Sequence, residues 1–262
     1  MRLPAAFTTL MWPLAMFAMP AAAIAAECSA HSGAQSVPLL ELYTSEGCSS
    51  CPPADKWLSS IAGSGFGADK VVALAFHVDY WDYIGWKDRF ARPDFSARQR
   101  QVAAIGRSSF VYTPQVMLNG GDFRGWHSSR FSQSIDNSLK QPARANLELS
   151  LAPQASGEIT VKASARTVKA EDRKTADIYI AVYENNLKSN VSAGENNGRQ
   201  LNHDYVVREW FGPYRLDEKD GAWQRNLTLK PEWKGRAAGV ATFVQNRSNG
   251  DVLQALSLPF CS

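Results

Sequence analysis

Cys48-Ser49-Ser50-Cys51 sets two thiols close together where a strand hands over to a helix. Val37 to Thr44, just before them, is apolar and strand-like. After them, Ala54, Trp57, Leu58 and Ile61 fall at i, i+3, i+4 and i+7, one apolar face of a helix. Such a junction places Cys48 where free backbone N–H groups and the helix dipole favour a thiolate, with Cys51 near enough to close a small disulfide ring. Pro52 and Pro53 suit the first helical turn, where an N–H has no partner inside the helix. Neither middle residue is basic, so Ser49, Ser50 and the Cys51 thiol are the donors facing Cys48.

The first residues read as an export signal. Arg2 is the only charge before Glu27, an apolar run spans 10–19, and mostly small residues follow from Ala21 to Ala26. Pro13 and Pro20 break the apolar core, which is too short for a retained membrane span. Glu27 stands where a small residue would precede a lipidated cysteine. The expectation is a signal peptide over 1–26 and a periplasmic or secreted chain with no membrane span after cleavage. The 28 basic and 25 acidic residues give a net charge of +3 and are interspersed. Without a basic block, nucleic acid and anionic membranes are poor partners. Of the 4 cysteines, Cys28 follows the signal and Cys261 is penultimate. In an oxidising compartment Cys28–Cys261 is the most economical structural disulfide, with other pairings open.

The texture of the chain changes near Pro142. Before it, Val71 to Phe76 reads as a buried strand following the first helix, in a right-handed parallel β-α-β unit. Val116-Met117-Leu118 is a strand stopped by the hairpin signal Asn119-Gly120, and Phe131, Ile135 and Leu139 mark a last helix. Residues 79–112 form an insertion, dense in aromatics at its start, with a helix opened by Pro93-Asp94. After Pro142, period-2 alternation marks about seven strands, among them Leu147 to Leu151, Ile178 to Tyr183 and Val252 to Leu258. Asn185 to Asn202 reads as a long polar loop. The expected domains are 27–142, α/β with a mixed sheet, and 143–262, an antiparallel β-sandwich.

Leu42-Tyr43-Thr44 followed by Gly47-Cys48-x-x-Cys51 resembles the opening of the glutaredoxins and thioredoxins. Thr113-Pro114-Gln115-Val116-Met117-Leu118-Asn119-Gly120-Gly121 resembles their second signature. The resemblance implies a thioredoxin-like domain over 27–142, with Cys48 as attacking and Cys51 as resolving thiol. It further implies a cis peptide bond before Pro114, and a Thr113 backbone able to pair with an extended peptide. Two serines replace the Gly-Pro usual between thioredoxin thiols, and Glu41 is one residue out of register for the buried thioredoxin aspartate. The whole chain is similar to a secreted bacterial family filed as domain of unknown function 1223. That similarity rests on Tyr43-Thr44-Ser45-x-Gly47-Cys48 to Asp55, Phe76-His77-Val78-Asp79-Tyr80-Trp81-Asp82, Tyr112 to Gln115, and the Gly194-Glu195-Asn196 to His203-Asp204 stretch.

The expected activity is thiol–disulfide exchange on a protein or small-molecule partner, with no cofactor. Glu46 reads as a solvated loop residue, or else a proton acceptor near Cys51. His77 reads as a hydrogen-bonded residue at a strand end; the alternative is a soft-metal site of Cys48, Cys51 and His77 that binds or delivers copper. A third reading is a non-catalytic interaction protein with structural bridges. Tyr80 and Trp81 either line a substrate groove or pack the insertion. Lys87, Arg89, Arg92, Arg98 and Arg100 read as a solvated face. His203 and Asp204 lie next to each other on a strand and point to opposite sides, so they cannot act as an acid–base pair.

Overall fold

Two faces of one sheet order this chain, and both are covered. The computed structural model describes residues 27–108, 110–154, 156–217, 221–228 and 237–261. The expected signal peptide lies outside them. The described chain starts in a short strand, β1 (Cys28–His31), and then enters β2 (Leu39–Thr44), buried throughout. Helix α1 (Pro52–Ser60) crosses to β3 (Val72–His77), parallel to β2 with Leu39 opposite Val72 and Thr44 opposite His77. Alternation divides these strands between two cores. Leu40, Leu42, Ala73 and Ala75 meet Ala54 and Leu58 of α1. Leu39, Tyr43, Leu74 and Phe76 face the opposite side.

That opposite side is covered by the insertion. After a short 3-10 turn (Asp79–Ile84), helix α2 (Pro93–Ile105) brings Phe95, Val102 and Ala103 onto it. Strand β4 (Gln115–Leu118) returns antiparallel to β2, and Asn119-Gly120 turns it into β5 (Gly121–Asp122). Both turn residues have positive φ, 49° and 81°, as a tight two-residue hairpin needs. Helix α3 (Arg130–Leu139) buries Phe131 and Ile135 on the α1 side.

The second half is mostly strands: β6 (Ala145–Pro153), β7 (Glu158–Thr167), the short α4 (Ala170–Arg173), β8 (Ala176–Glu184), β9 (Leu187–Asn190), β10 (Gln200–His203), β11 (Val206–Arg215), β12 (Gly221–Thr228), β13 (Ala238–Asn246) and β14 (Val252–Pro259). They do not form a separate sandwich. One eight-stranded sheet runs β14-β13-β8-β11-β3-β2-β4-β5, and a four-stranded sheet runs β1-β6-β7-β12. The expected division after residue 142 is crossed twice. Strand β11 joins β3 in parallel, with Val206 opposite Ala75 and the Ala75 N–H donating to Tyr205 O at 2.8 Å. Strand β1 pairs with β6 in the smaller sheet, which packs on Ile178, Ile180 and Val182 of β8. On the other side of β8, Tyr179, Ala181 and Tyr183 belong to the α2 core. Cys28 and Cys261 form a disulfide with Cα atoms 6.0 Å apart.

Two expectations fail here. Asn185–Asn202 contains a hairpin, β9 paired with β10, rather than an unstructured loop. Its inward positions include Ser189 and His203 as well as Leu201, so hydropathy alternation does not reveal it. Arg98 is not on a solvated face. It points inward from α2, where Nε donates to Glu41 Oε1 at 3.1 Å. Its guanidinium lies 4.8 Å from the Tyr179 ring centre and 5.5 Å from those of Trp210 and Phe243. Among the described residues no helix is long and apolar enough to cross a membrane.

Candidate functional site

The turn after β2 brings the thiols together at the head of α1. The Cys48 N–H donates to Ser45 O and the Cys51 N–H to Cys48 O, each at 3.2 Å. Cys51 caps the helix, its carbonyl accepting from the N–H groups of Ala54 and Asp55 at 2.9 and 3.1 Å. Both thiols are free, with Cys51 wholly buried and Cys48 1% exposed. Cys48 Sγ lies 3.1 Å from Ser50 Oγ and 3.8 Å from the Thr113 carbonyl. The peptide between Thr113 and Pro114 is cis.

The two thiols differ in kind. A hydrogen bond from Cys51 pulls Cys48 down to about 6; burial opposes this, and Ser50 and Thr113 add to it. Cys51 is pushed up by burial, by its bond to Cys48 and by the charge of Asp55. Asp55 lies one helical turn after Cys51, on the same face of α1.

The insertion holds the Thr113 loop against the thiols. Trp81 Nε1 donates to Thr113 Oγ1 at 2.6 Å. The Tyr80 hydroxyl donates to Gln99 Oε1 at 3.1 Å, and Gln99 Nε2 donates to Tyr112 O at 2.8 Å. Tyr80 and Trp81 are thus half-buried braces packed on the α2 core, whereas Tyr83 is 83% exposed. A Cβ at Gly47 would meet Trp81 Cβ at 3.2 Å, so the aromatic turn sits directly on the thiol-bearing loop.

The second half contributes residues whose role the sequence reading missed. Asn196 is buried, and its Nδ2 donates to Glu46 O and Cys48 O at 2.8 and 2.9 Å. Glu195 accepts the Ser49 N–H at 2.9 Å. Gly194, at φ 69°, rests on Ile84 and Trp86, where a Cβ would approach both at 3.3 Å. The glycine- and asparagine-rich composition of this stretch was the available signal for a tightly held turn.

Behind the thiols lies a buried group of carboxylates and imidazoles. Glu46 is not solvated: Trp86 Nε1 donates to its Oε2 at 2.8 Å, and its Oε1 is 3.4 Å from His203 Nε2. Burial is the largest influence on Glu46 and raises its pKa, but His203 and smaller neighbouring contributions, His77 among them, together bring the carboxyl below its ordinary value. His77 ends β3 with Nδ1 2.6 Å from Asp88 Oδ2. His77 therefore orients Asp88 rather than Asp79, whose carboxylate accepts from Ser96 Oγ. The rings of His77 and His203 meet edge to face at 4.9 Å. Among the described residues no three His, Cys, Asp or Glu side chains converge to hold a metal ion, so Cys48, Cys51 and His77 are not brought together as ligands.

The fold and site define a mixed-sheet protein with an asymmetric thiol pair at a helix head, roofed by a turn from its own second half. The chain belongs to the family described as Protein of unknown function (DUF1223), matched over residues 39–245. It is similar to a solved protein of Agrobacterium tumefaciens at 25% identity and TM-score 0.60, covering 86% of this chain and 95% of that one. HBP35 of Porphyromonas gingivalis shares the fold at 15% identity and TM-score 0.63, covering 87% of this chain and 76% of that one. No curated protein matches the chain.

Proposed function

We propose that this chain is an exported thiol–disulfide oxidoreductase whose cysteine-bearing half is a thioredoxin-like unit. The observation that carries the reading is the unlike pair of thiols. Cys48 heads the helix beside hydroxyl donors, and Cys51 is sealed behind it next to Asp55. A thiolate at neutral pH is the nucleophile in exchange, and a buried neighbour that stays protonated is a resolving thiol held in reserve. The β2-α1-β3 unit with the β4–β5 hairpin supports the thioredoxin-like assignment. The Cys28–Cys261 bridge supports an oxidising compartment.

The Cys48 thiolate attacks one sulfur of a substrate disulfide, forming a mixed disulfide and releasing the other as thiolate. Cys51 then gives its proton to the Asp55 carboxylate and attacks Cys48 Sγ. That closes the Cys48–Cys51 bond and frees the second substrate thiol. The substrate is reduced by two electrons and the protein dithiol is oxidised by two. The reverse sequence oxidises a substrate dithiol.

The test is equilibration of the protein with a graded thiol–disulfide buffer, followed by alkylation and mass measurement. Cys48–Cys51 is expected to open under mild reductant while Cys28–Cys261 stays closed. Cys51→Ser should trap a mixed disulfide on Cys48. A Cys48–Cys51 bridge that stays closed in the folded protein under these conditions would sink the proposal.

A further inference from the structure

Resolution requires Asp55 to be ionised when Cys51 gives up its proton, yet Asp55 is buried. Burial alone favours the neutral acid. Something must hold the charge, and no cation lies within the cysteine-bearing loop or the first turn of α1.

His203 sits where such a charge is needed. It ends β10, outside the cysteine-bearing half. Its Nδ1 lies 3.9 Å from Asp55 Oδ2 and its Nε2 lies 3.4 Å from Glu46 Oε1. Neither ring nitrogen has a hydrogen-bond partner, nor does Glu46 Oε1. A neutral imidazole would turn a lone pair toward one of the two carboxylates, whereas the doubly protonated ring presents an N–H to each.

The other groups around the ring are accounted for. From β3, His77 meets it edge to face and is itself held by Asp88. Phe90 covers another side, with the guanidinium groups of Arg89 and Arg208 over its own ring. From β9, the buried Ser189 hydroxyl lies near Glu46 without a hydrogen-bond partner of its own. Asp204, the next residue in the chain, accepts from the Asn186 N–H instead. Asp55 also lines a surface cleft of about 380 Å³ between α1 and β10, with Pro52, Lys56, Leu201 and Asn202. This cleft gives the proton a way out to solvent.

We propose that His203 is a positioning residue for the resolving step: as an imidazolium between Glu46 and Asp55, it keeps Asp55 ionised so that Asp55 can accept the Cys51 proton. This rests on the exchange activity proposed above. It makes the second half of the chain a participant in the chemistry rather than a platform. Consistent with the geometry, burial pushes Asp55 up and the His203 charge is the largest influence pulling it back, followed by His77.

The experiment is stopped-flow oxidation of the reduced full chain by dithiobis(nitrobenzoate), whose released thiolate is coloured. One equivalent appears as Cys48 forms the mixed disulfide, and a second as Cys51 resolves it. His203→Gln should leave the first phase unchanged. It should move the ascending pH limb of the second phase upward by about one to three units, the usual effect of removing an opposite charge at this range. Below that limb the second phase slows at least about tenfold. Asp55→Asn should slow the second phase at every pH and abolish the limb.

A His203→Gln second phase that keeps the wild-type limb overturns the proposal. So does a loss that is uniform across pH, which would mark a packing role. If His203→Gln does not fold, an unchanged second phase in Asp55→Asn overturns it equally. A wild-type chain that never releases the second equivalent fails the exchange reading itself, and is distinguishable for that reason.

Discussion

Removing one partner of the buried Arg98–Glu41 pair should cost far more than removing both. The side chains are 2% and 1% exposed, and the Nε–Oε1 distance is 3.1 Å. At an effective dielectric of about 20, two unit charges at that separation attract by about 5 kcal/mol. Each aromatic face over the guanidinium adds about 1 kcal/mol. The two single changes are not equivalent. Arg98→Met leaves Glu41 with the Tyr43 hydroxyl, which donates to it at 3.0 Å, and lets the carboxyl take a proton. Glu41→Leu leaves a guanidinium that cannot shed its charge among three rings. Losses of about 3 kcal/mol for Arg98→Met and about 5 kcal/mol for Glu41→Leu are expected, with the double variant within about 1 kcal/mol of wild type. For a chain of this size the single losses amount to roughly 6–20 °C in melting temperature. Urea unfolding followed by tryptophan fluorescence, with Cys28–Cys261 intact, measures all four corners of the cycle. Singles within about 1 kcal/mol of wild type, or a double variant losing the sum of the two, would refute the reasoning.

Cys51→Ala removes the largest stabiliser of the Cys48 thiolate, so the midpoint of Cys48 alkylation against pH should rise from about 6 toward the ordinary thiol value; an unmoved midpoint contradicts it. The His77–Asp88 contact should stabilise the fold only between two limits. Burial raises Asp88, but the charge and hydrogen bond of His77, with the N–H groups of Glu46 and Phe90, together hold the carboxyl below 3.8, so that contribution is lost as pH falls through the depressed value. Burial lowers His77, but Asp88 outweighs it and holds the imidazole above 6.5, so that contribution is complete below 6.5 and fades as pH rises through the raised value. His77→Asn should flatten both limbs of a stability–pH curve. Replacing Cys28 and Cys261 with serine frees a span of 233 residues in the unfolded chain and should cost up to about 5 kcal/mol, read from the urea midpoint. Asn196→Ala withdraws two hydrogen bonds from the Cys48 loop and should cost about 1–3 kcal/mol and speed Cys48 alkylation.

Local pattern made β2, α1, β3, α2 and the β4–β5 turn legible, because each carries its own periodicity or turn residues. The join between β11 and β3 was not legible. It rests on one register pair, Val206 with Ala75, formed by residues far apart in a chain with no local reason to meet. The same distance hid the site. Cys48, Cys51, Thr113 and Pro114 advertise their chemistry by type and spacing, whereas Asn196 and His203 matter only because β9 and β10 fold back over α1. Glu46 and Arg98 misled for a related reason: a charged residue reads as solvated until its partner is known, and the partners are His203 and Glu41.

The placement of β11 also dictates an order of assembly. Strand β3 is synthesised long before β11, and in the finished sheet β11 lies between β3 and β8. Until β11 arrives, β3 has an open edge, and the thiols, already present, lack Asn196 and His203. Cys28 must meanwhile pass over Cys48 and Cys51, its nearer neighbours in the chain, and wait for Cys261. A chain oxidised in the order its cysteines emerge would pair Cys28 with Cys48. Reaching the native bridge from there requires thiol–disulfide exchange.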